Sequence, residues 1–344
     1  MVKAGSGVRA CMARGGLQKA TVVGWSGRGT LEDLASSIGG VLESTGINGK
    51  MVTSGRSLII QGPDPSLAGS AVRNAPGVDW VAVGMALRTF REVGETAKVL
   101  ARRYIRPGAR FSVVPSGGSG VPASDVGGAV VSAVLEEVRG VKVDEARPEV
   151  VLRASMTRTG GAIGVEVSRG PGGVPTGSTR VACLVSGGMH SSVLCWMALL
   201  AGYRLTMVHA KVNEETTLAV ARLYAELSRR ADPTGIALEV LVGEDAGRIV
   251  SWALLNERKP VFVGSHSGCG DLRRAPAGTM APLYLAQEEW FRSEISKLSL
   301  KPHLGQVAPS NGSAPPDETL SFGGARADVS GVLDGLRVRT APGR

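Results

Sequence analysis

Residues 181–197 restrict the fold more than any other stretch of this chain. Val181-Ala182-Cys183-Leu184-Val185 is a short apolar run; Ser186-Gly187-Gly188-Met189-His190-Ser191-Ser192 breaks it; Val193-Leu194-Cys195-Trp196-Met197 resumes it. This reads as a strand that passes through a Gly/Ser loop directly into an apolar-faced helix. A helix starting there aims its unpaired backbone N–H groups, and the positive end of its dipole, into the loop. Gly187 and Gly188 permit close backbone approach and positive φ, while the Ser186, Ser191 and Ser192 hydroxyls add donors. A phosphate or pyrophosphate fits such a setting. The loop is not a Walker A, because no Lys follows its glycines, and it lacks dinucleotide-fingerprint spacing. A plain βα turn is the competing reading.

The surrounding pattern extends this unit. Strands are predicted at Val181–Val185, Leu205–His209, Ala237–Val242 and Pro260–Val263, with helices at Ser191–Ala201, Glu215–Arg230 and Asp245–Glu257 between them. Such alternation predicts a parallel, doubly wound, Rossmann-like sheet with its ligand crevice at the carboxyl ends of the strands. Further upstream the order differs. A strand at Thr21–Trp25, Leu31, Leu34, Ile38 and Leu42 at helical spacing, a hairpin around Ser54-Gly55, a short helix at Ser66–Asn74 and a strand at Trp80–Leu87 read βαββαβ, the split ferredoxin-like arrangement. A second α+β unit follows: a helix at Glu92–Tyr104, a strand at Arg110–Val114, a helix at Ser124–Val138 capped by Ser124 or Asp125, and strands at Val150–Ala154 and Ala162–Val167. Residues 1–18 read as a flexible arm, and the Pro-, Gly-, Ser- and Ala-rich chain over 305–344 as disordered.

At 344 residues there is room for two or three domains. Aromatic residues make up only 4% of the chain against 43% hydrophobic, so the cores must be built from Val, Leu, Ala and Ile. Lys and Arg outnumber Asp and Glu by 39 to 30, a balance that suits a polyanionic partner, with a generally basic background as the alternative. Arg102, Arg103, Arg106 and Arg110 crowd one loop edge and would suit phosphates, or form a solvated charge run. The cysteines Cys11, Cys183, Cys195 and Cys269 show no CxxC spacing, and Cys183 and Cys195 read as core thiols. The histidines show no metal-ligand spacing, so no protein metal site is expected. No signal-peptide pattern and no long apolar run appears, which gives the expectation of a soluble, cytoplasmic protein without a membrane.

Two segments together carry a resemblance. Ser186–Ser191 is similar to the Ser-Gly-Gly-x-Asp-Ser PP-loop of the tRNA 4-thiouridine synthetases, or tRNA sulfurtransferases. Gly172-Gly173-Val174-Pro175-Thr176-Gly177 resembles the hinge preceding that loop. Phe111–Val114, Ser124–Gly128 and Val141–Asp144, with Arg147–Val150, resemble the THUMP pattern of the same family. The resemblance covers roughly residues 20–300 and implies a ferredoxin-like domain over 19–87, a THUMP RNA-binding domain over 88–175 and a PP-loop adenylating domain over 176–304. It implies ATP and Mg²⁺ as cofactors and tRNA as partner. The sulfur donor would be a cysteine desulfurase persulfide or sulfide, and a homodimer is compatible with the sequence. ATP would be bound by Leu184, Val185, Ser186, Gly187, Gly188, Met189, His190, Ser191, Ser192, His209, Ala210, Gly264 and Ser265. RNA would be bound by Arg102, Arg103, Arg106, Arg110 and Lys142. His190 and Cys269 are the catalytic candidates, with His266 placed to favour a Cys269 thiolate.

The chain also departs from the pattern. His190 stands where the loop carboxylate belongs, Met280-Ala281-Pro282-Leu283 lacks the expected Arg, and no rhodanese domain follows. Two functions therefore stay open: an ATP-dependent enzyme that forms 4-thiouridine in tRNA, or a tRNA-binding protein with a degenerate PP-loop domain.

Overall fold

The structure is a computed structural model that describes residues 18–25, 27–118, 120–211, 213–242, 260–264, 279–283 and 285–297, with short strands at 301–302, 320–321 and 337–340. Residues 1–17 of the expected arm, the helix expected at Asp245–Glu257, the segment Ser265–Gly270 and most of the tail lie outside the described residues. The chain packs as two compact units that do not follow chain order. Of the described residues, one comprises those up to Val22, Lys50–Ser66 and Ala82–Val167; the other comprises Val23–Gly49, Leu67–Val81 and those from Ser168 onward.

An eight-stranded sheet organises the first unit. Its strands are β1 (Lys19–Trp25), β2 (Lys50–Ser54), β3 (Ser57–Gln61), β4 (Val78–Leu87), β5 (Arg110–Gly117), β6 (Lys142–Val143), β7 (Val150–Thr157) and β8 (Gly160–Arg169), in the order β2-β3-β1-β4-β8-β7-β5-β6. The sequence pattern suggests two small sheets in succession; the strands instead join in one, with β4 beside β8. Helix α3 (Glu92–Tyr104) presents Val93, Ala97, Leu100 and Ala101, and α4 (Ala123–Glu137) presents Val126, Val130 and Val134, to Phe111, Leu152, Ala154 and Ile163 of the sheet. Aliphatic residues dominate this core, as composition requires, and each fully buried one contributes about 1.5–3 kcal/mol. Glu92 and Glu95 in the first turn of α3, and Arg102 and Arg103 in its last, complement the helix dipole. Neither Ser124 nor Asp125 caps α4. The cap position is Pro122, with no side-chain cap bond, because the helix begins a residue earlier than expected and places both polar residues inside its first turn.

In the second unit, α1 (Leu31–Ser44) starts at Thr30, whose hydroxyl oxygen accepts from Asp33 N at 3.0 Å, and it buries Leu34, Ile38 and Leu42 as their spacing predicts. The unit's sheet contains β9 (Arg180–Leu184), β10 (Arg204–Lys211), β11 (Ile236–Val242), β12 (Val261–Phe262), β13 (Thr279–Met280) and β16 (Arg337–Thr340). The order is β13-β12-β9-β10-β11-β16, and the pairings are parallel. Strand β16 lies in the tail expected to be disordered, where β14 (Lys301–Pro302) also pairs with β15 (Leu320–Ser321). From β9 the chain moves to β10 on one side and only later returns to β12 on the other, so the strand order reverses at β9. A parallel sheet opens its crevice at such a switch point, beyond the carboxyl end of the strand.

Helix α5 (Met189–Leu200) follows β9 and is buried almost all round. Val193, Leu194, Cys195 and Leu199 pack with β9 and β10 and with α6 (Glu214–Ser228), while Phe291 and Ile295 of α7 (Glu288–Lys297) join the same core. A helix without a polar face has no stable place at a surface, and this one has none.

Candidate functional site

The loop between β9 and α5 sits at the switch point. Gly187 takes φ +90°, and a Cβ built there would lie 3.3 Å from the Thr216 carbonyl oxygen and 3.5 Å from the Ala219 side chain, so only glycine can rest this way against the first turn of α6. Gly188 is the helix N-cap and offers no side chain to cap the first turn of α5, whose positive dipole end lies at the loop. From the other side, Gly264 closes the cradle just after β12. A Cβ built on it would fall 2.8 Å from Ser191 N and 2.9 Å from Ser191 Cα. The cradle is thus bounded by β9, α5, the start of α6 and the exit of β12.

The serine hydroxyls behave differently from expectation. Ser191 Oγ and Ser192 Oγ donate to the Gly188 carbonyl oxygen at 3.1 and 2.8 Å, and Ser186 Oγ accepts from Gly188 N at 3.3 Å. They hold the loop's shape. Ser186 is exposed at the mouth; Leu184 and Ala210 are half-buried beside it. His190 is buried and stacks edge to face on Phe291 of α7, with ring centroids 4.7 Å apart. His209 is 1% exposed, with Nδ1 2.8 Å from the Val185 carbonyl oxygen and Nε2 3.2 Å from Thr217 Oγ1. Burial pushes its pKa below the ordinary histidine value, and the bond to Val185 opposes that only in part. Sequence reasoning missed the α6 wall, where the side-chain oxygen of Asn213 caps the helix through Thr216 N at 2.8 Å. An Asn before Glu214-Glu215 and an apolar-periodic run is the signal that could have found it.

Comparison with known proteins follows from this geometry. No family profile matches the chain. It is 35% identical over 100 residues to a probable tRNA sulfurtransferase of Methanocaldococcus jannaschii, covering 29% of this chain and 26% of that protein. It is 31% identical over 172 residues to a tRNA sulfurtransferase of Desulfurococcus amylolyticus, covering 46% and 35%. Over part of its length the chain is similar to tRNA sulfurtransferases. The aligned stretches span only about a quarter to a third of these relatives. Among solved structures, PH1313 from Pyrococcus horikoshii superposes with a TM-score of 0.65 at 16% identity, covering 81% of this chain and 99% of that one. A 4-thiouridine synthetase–RNA complex with bound ATP superposes with a TM-score of 0.63 at 15% identity, covering 82% and 85%. At these identities the structures establish the shared fold.

Arg102 is held by Glu137 through two bonds, at 2.6 and 3.3 Å, and Arg110 lies 3.3 Å from Glu149 and 3.7 Å from Asp144. Arg103 stacks over Tyr104 at 5.3 Å, while Arg106 and Lys142 are exposed. The edge is therefore less free than a bare count of arginines suggests, because acids distant in sequence fold back onto two of them. Cys183 and Cys195 are fully buried, as expected, and burial, reinforced by Cys195, pushes the Cys183 thiol up. Cys269 and Ser265 lie outside the described residues. Among the described residues no group of His, Cys, Asp and Glu could hold a metal ion, and no helix is long and apolar enough to cross a membrane.

Proposed function

We propose that this chain is an ATP-dependent tRNA sulfurtransferase that forms 4-thiouridine. The observation that carries the reading is the loop itself, a glycine turn at the switch point that leads into the N-terminus of α5, with Gly264 packed against that first turn. ATP would be a substrate with its phosphates against Gly187, Gly188 and the first turn of α5, whose preorganised donors favour charge developing on the departing pyrophosphate. AMP passes to the uridine carbonyl oxygen, pyrophosphate leaves, and a sulfur nucleophile then displaces AMP. The residues at the loop do not fit a protein-held Mg²⁺, since the acid's position is His190 and that ring is turned onto Phe291.

On the RNA side, Arg103, Arg106 and Lys142 are the cations best placed to neutralise phosphates, with Arg102 and Arg110 available only by exchange with their acids. Cys183 and Cys195 are buried, and of the other two cysteines, Cys11 and Cys269, the sequence offers Cys269, between Gly268 and Gly270 and near His266, as the candidate for a sulfur-carrying thiol. A second reading, a tRNA-binding protein whose PP-loop domain no longer turns over, is favoured by one observation: the packing of His190 into the core in place of a carboxylate.

The test is incubation of the purified chain with tRNA, ATP and either free sulfide or a persulfide donor, followed by nuclease digestion and mass spectrometry. ATP-dependent 4-thiouridine is the expected result. Tight binding of ATP and tRNA with neither AMP release nor thiolated uridine would establish the second reading instead. Loss of product in Cys269→Ser with the persulfide alone would assign that thiol as carrier, and full activity with both donors would exclude it.

A further inference from the structure

We infer that His209 is a positioning residue for the nucleotide loop, tying the end of β9 to the first turn of α6, and not itself a contact to the nucleotide. The inference rests on the proposed nucleotide site and deepens it. Both ring nitrogens are engaged within the protein, Nδ1 with the Val185 carbonyl oxygen and Nε2 with Thr217 Oγ1. The side chain is 1% exposed, which leaves no free edge for a ligand. A carbonyl oxygen only accepts, so Nδ1 carries the proton and Nε2 of the neutral ring presents its lone pair to the Thr217 hydroxyl, whose single proton is shared between that nitrogen and the Asn213 carbonyl oxygen.

The two anchors are the two walls of the cradle. Val185 is the residue immediately before Ser186, beyond the end of the β9–β10 ladder at Leu184, and its own N–H donates to Val208 O at 2.9 Å. The His209 ring therefore fixes the next peptide group, the one that joins Val185 to Ser186, just where the strand gives way to loop. Thr217 lies one residue beyond Thr216, whose carbonyl oxygen is the atom Gly187 rests against, and Thr217 Oγ1 is also 2.8 Å from the Asn213 carbonyl oxygen. One ring thus sets the spacing between the strand that delivers the loop and the helix that backs it. First-turn donors assist only if the loop is held open for the phosphates before they arrive.

The test uses the full chain with ATP as the probe and two near-isosteres. In His209→Asn the amide N–H falls near Nδ1 and can still donate to Val185. In His209→Gln the amide falls near Nε2 and can reach only Thr217. ATP affinity measured by calorimetry should stay within about 3-fold of wild type in the Asn variant and weaken by roughly 3- to 10-fold in the Gln variant, the worth of one neutral hydrogen bond. Hydrogen exchange of the Ser186–Ser192 amides without nucleotide should rise in the Gln variant and stay near wild type in the Asn variant. Equal loss of affinity in both variants with unchanged exchange would overturn the inference and make His209 a direct contact. If wild type itself fails to bind ATP, the nucleotide reading falls. The exchange measurement then decides the strap alone, and equal exchange in wild type and the Gln variant would refute it.

Discussion

Substituting Gly264 by Ala probes the cradle most directly. The added Cβ would meet Ser191 N at 2.8 Å, Ser191 Cα at 2.9 Å and the His190 carbonyl carbon at 3.0 Å. These are backbone atoms in the first turn of a helix buried on nearly every side, so no flexible side chain can swing away. Overpacking of this kind costs about 1–3 kcal/mol, and rigid backbone neighbours put the expected loss in the upper half of that range. If the methyl displaces one first-turn N–H from its aim at a phosphate, a charged hydrogen bond worth about 1.5–3 kcal/mol goes with it, which weakens ATP roughly 10- to 100-fold. Urea unfolding measures the first quantity and calorimetry with ATP the second. Gly128→Ala is the control: it lies on the exposed side of α4 with nothing within 4 Å of its built Cβ. That change should stabilise the chain by about 0.8–1 kcal/mol, the helix-propensity difference, without altering ATP affinity. Wild-type stability and wild-type ATP affinity in Gly264→Ala would show that β12 does not press on α5, and the cradle would be wrong.

Three further expectations follow from the same geometry. Phe291→Ala removes a fully buried ring from the α5–α7 core and should cost about 3–5 kcal/mol in chemical unfolding; a loss under 1 kcal/mol would mean that α7 does not hold His190. His209 has a folded pKa below its unfolded value, so the folded state binds fewer protons than the unfolded chain just below about pH 6.5. Its contribution is intact above that pH and is lost as pH falls toward the lower folded value, and His209→Asn should flatten unfolding stability across that window. Glu137→Gln should leave urea unfolding close to wild type, since the Arg102 partner is exposed to solvent, which screens the pair. By releasing Arg102 it should also tighten tRNA binding at low salt and steepen the log–log salt dependence by about one unit, and an unchanged slope would take Arg102 out of the RNA surface.

Much of this protein's local structure was legible in the residues. Val181–Val185 could only be a buried strand, and Leu31, Leu34, Ile38 and Leu42 had to share one helical face. Glu92–Tyr104 carries its acids at one end and its bases at the other, and the helix spans those residues. Periodicity and dipole complementarity act over a few residues, so the chain states them wherever they occur. That the glycine turn lies at the carboxyl end of a parallel strand, where such sheets open their crevice, was legible as well, because strand–helix alternation implies parallel strands; that the strand order reverses at β9 was not.

What tertiary structure alone decided involves partners far apart in sequence. The eight strands of the first unit join one sheet because β4 and β8 meet edge to edge, and no local pattern encodes that meeting. Glu137 and Glu149 come back across the fold to Arg102 and Arg110, so a cluster of like charges in the sequence becomes a set of ion pairs in space. His190 looks like a loop ligand by position, yet Phe291 of α7 turns it into a packing residue. Gly264 matters only because β12 runs beside β9 and brings its exit onto Ser191. Such contacts depend on the closure of long loops and on the packing of complete elements, free energies that belong to the assembled fold and to no single segment of the chain.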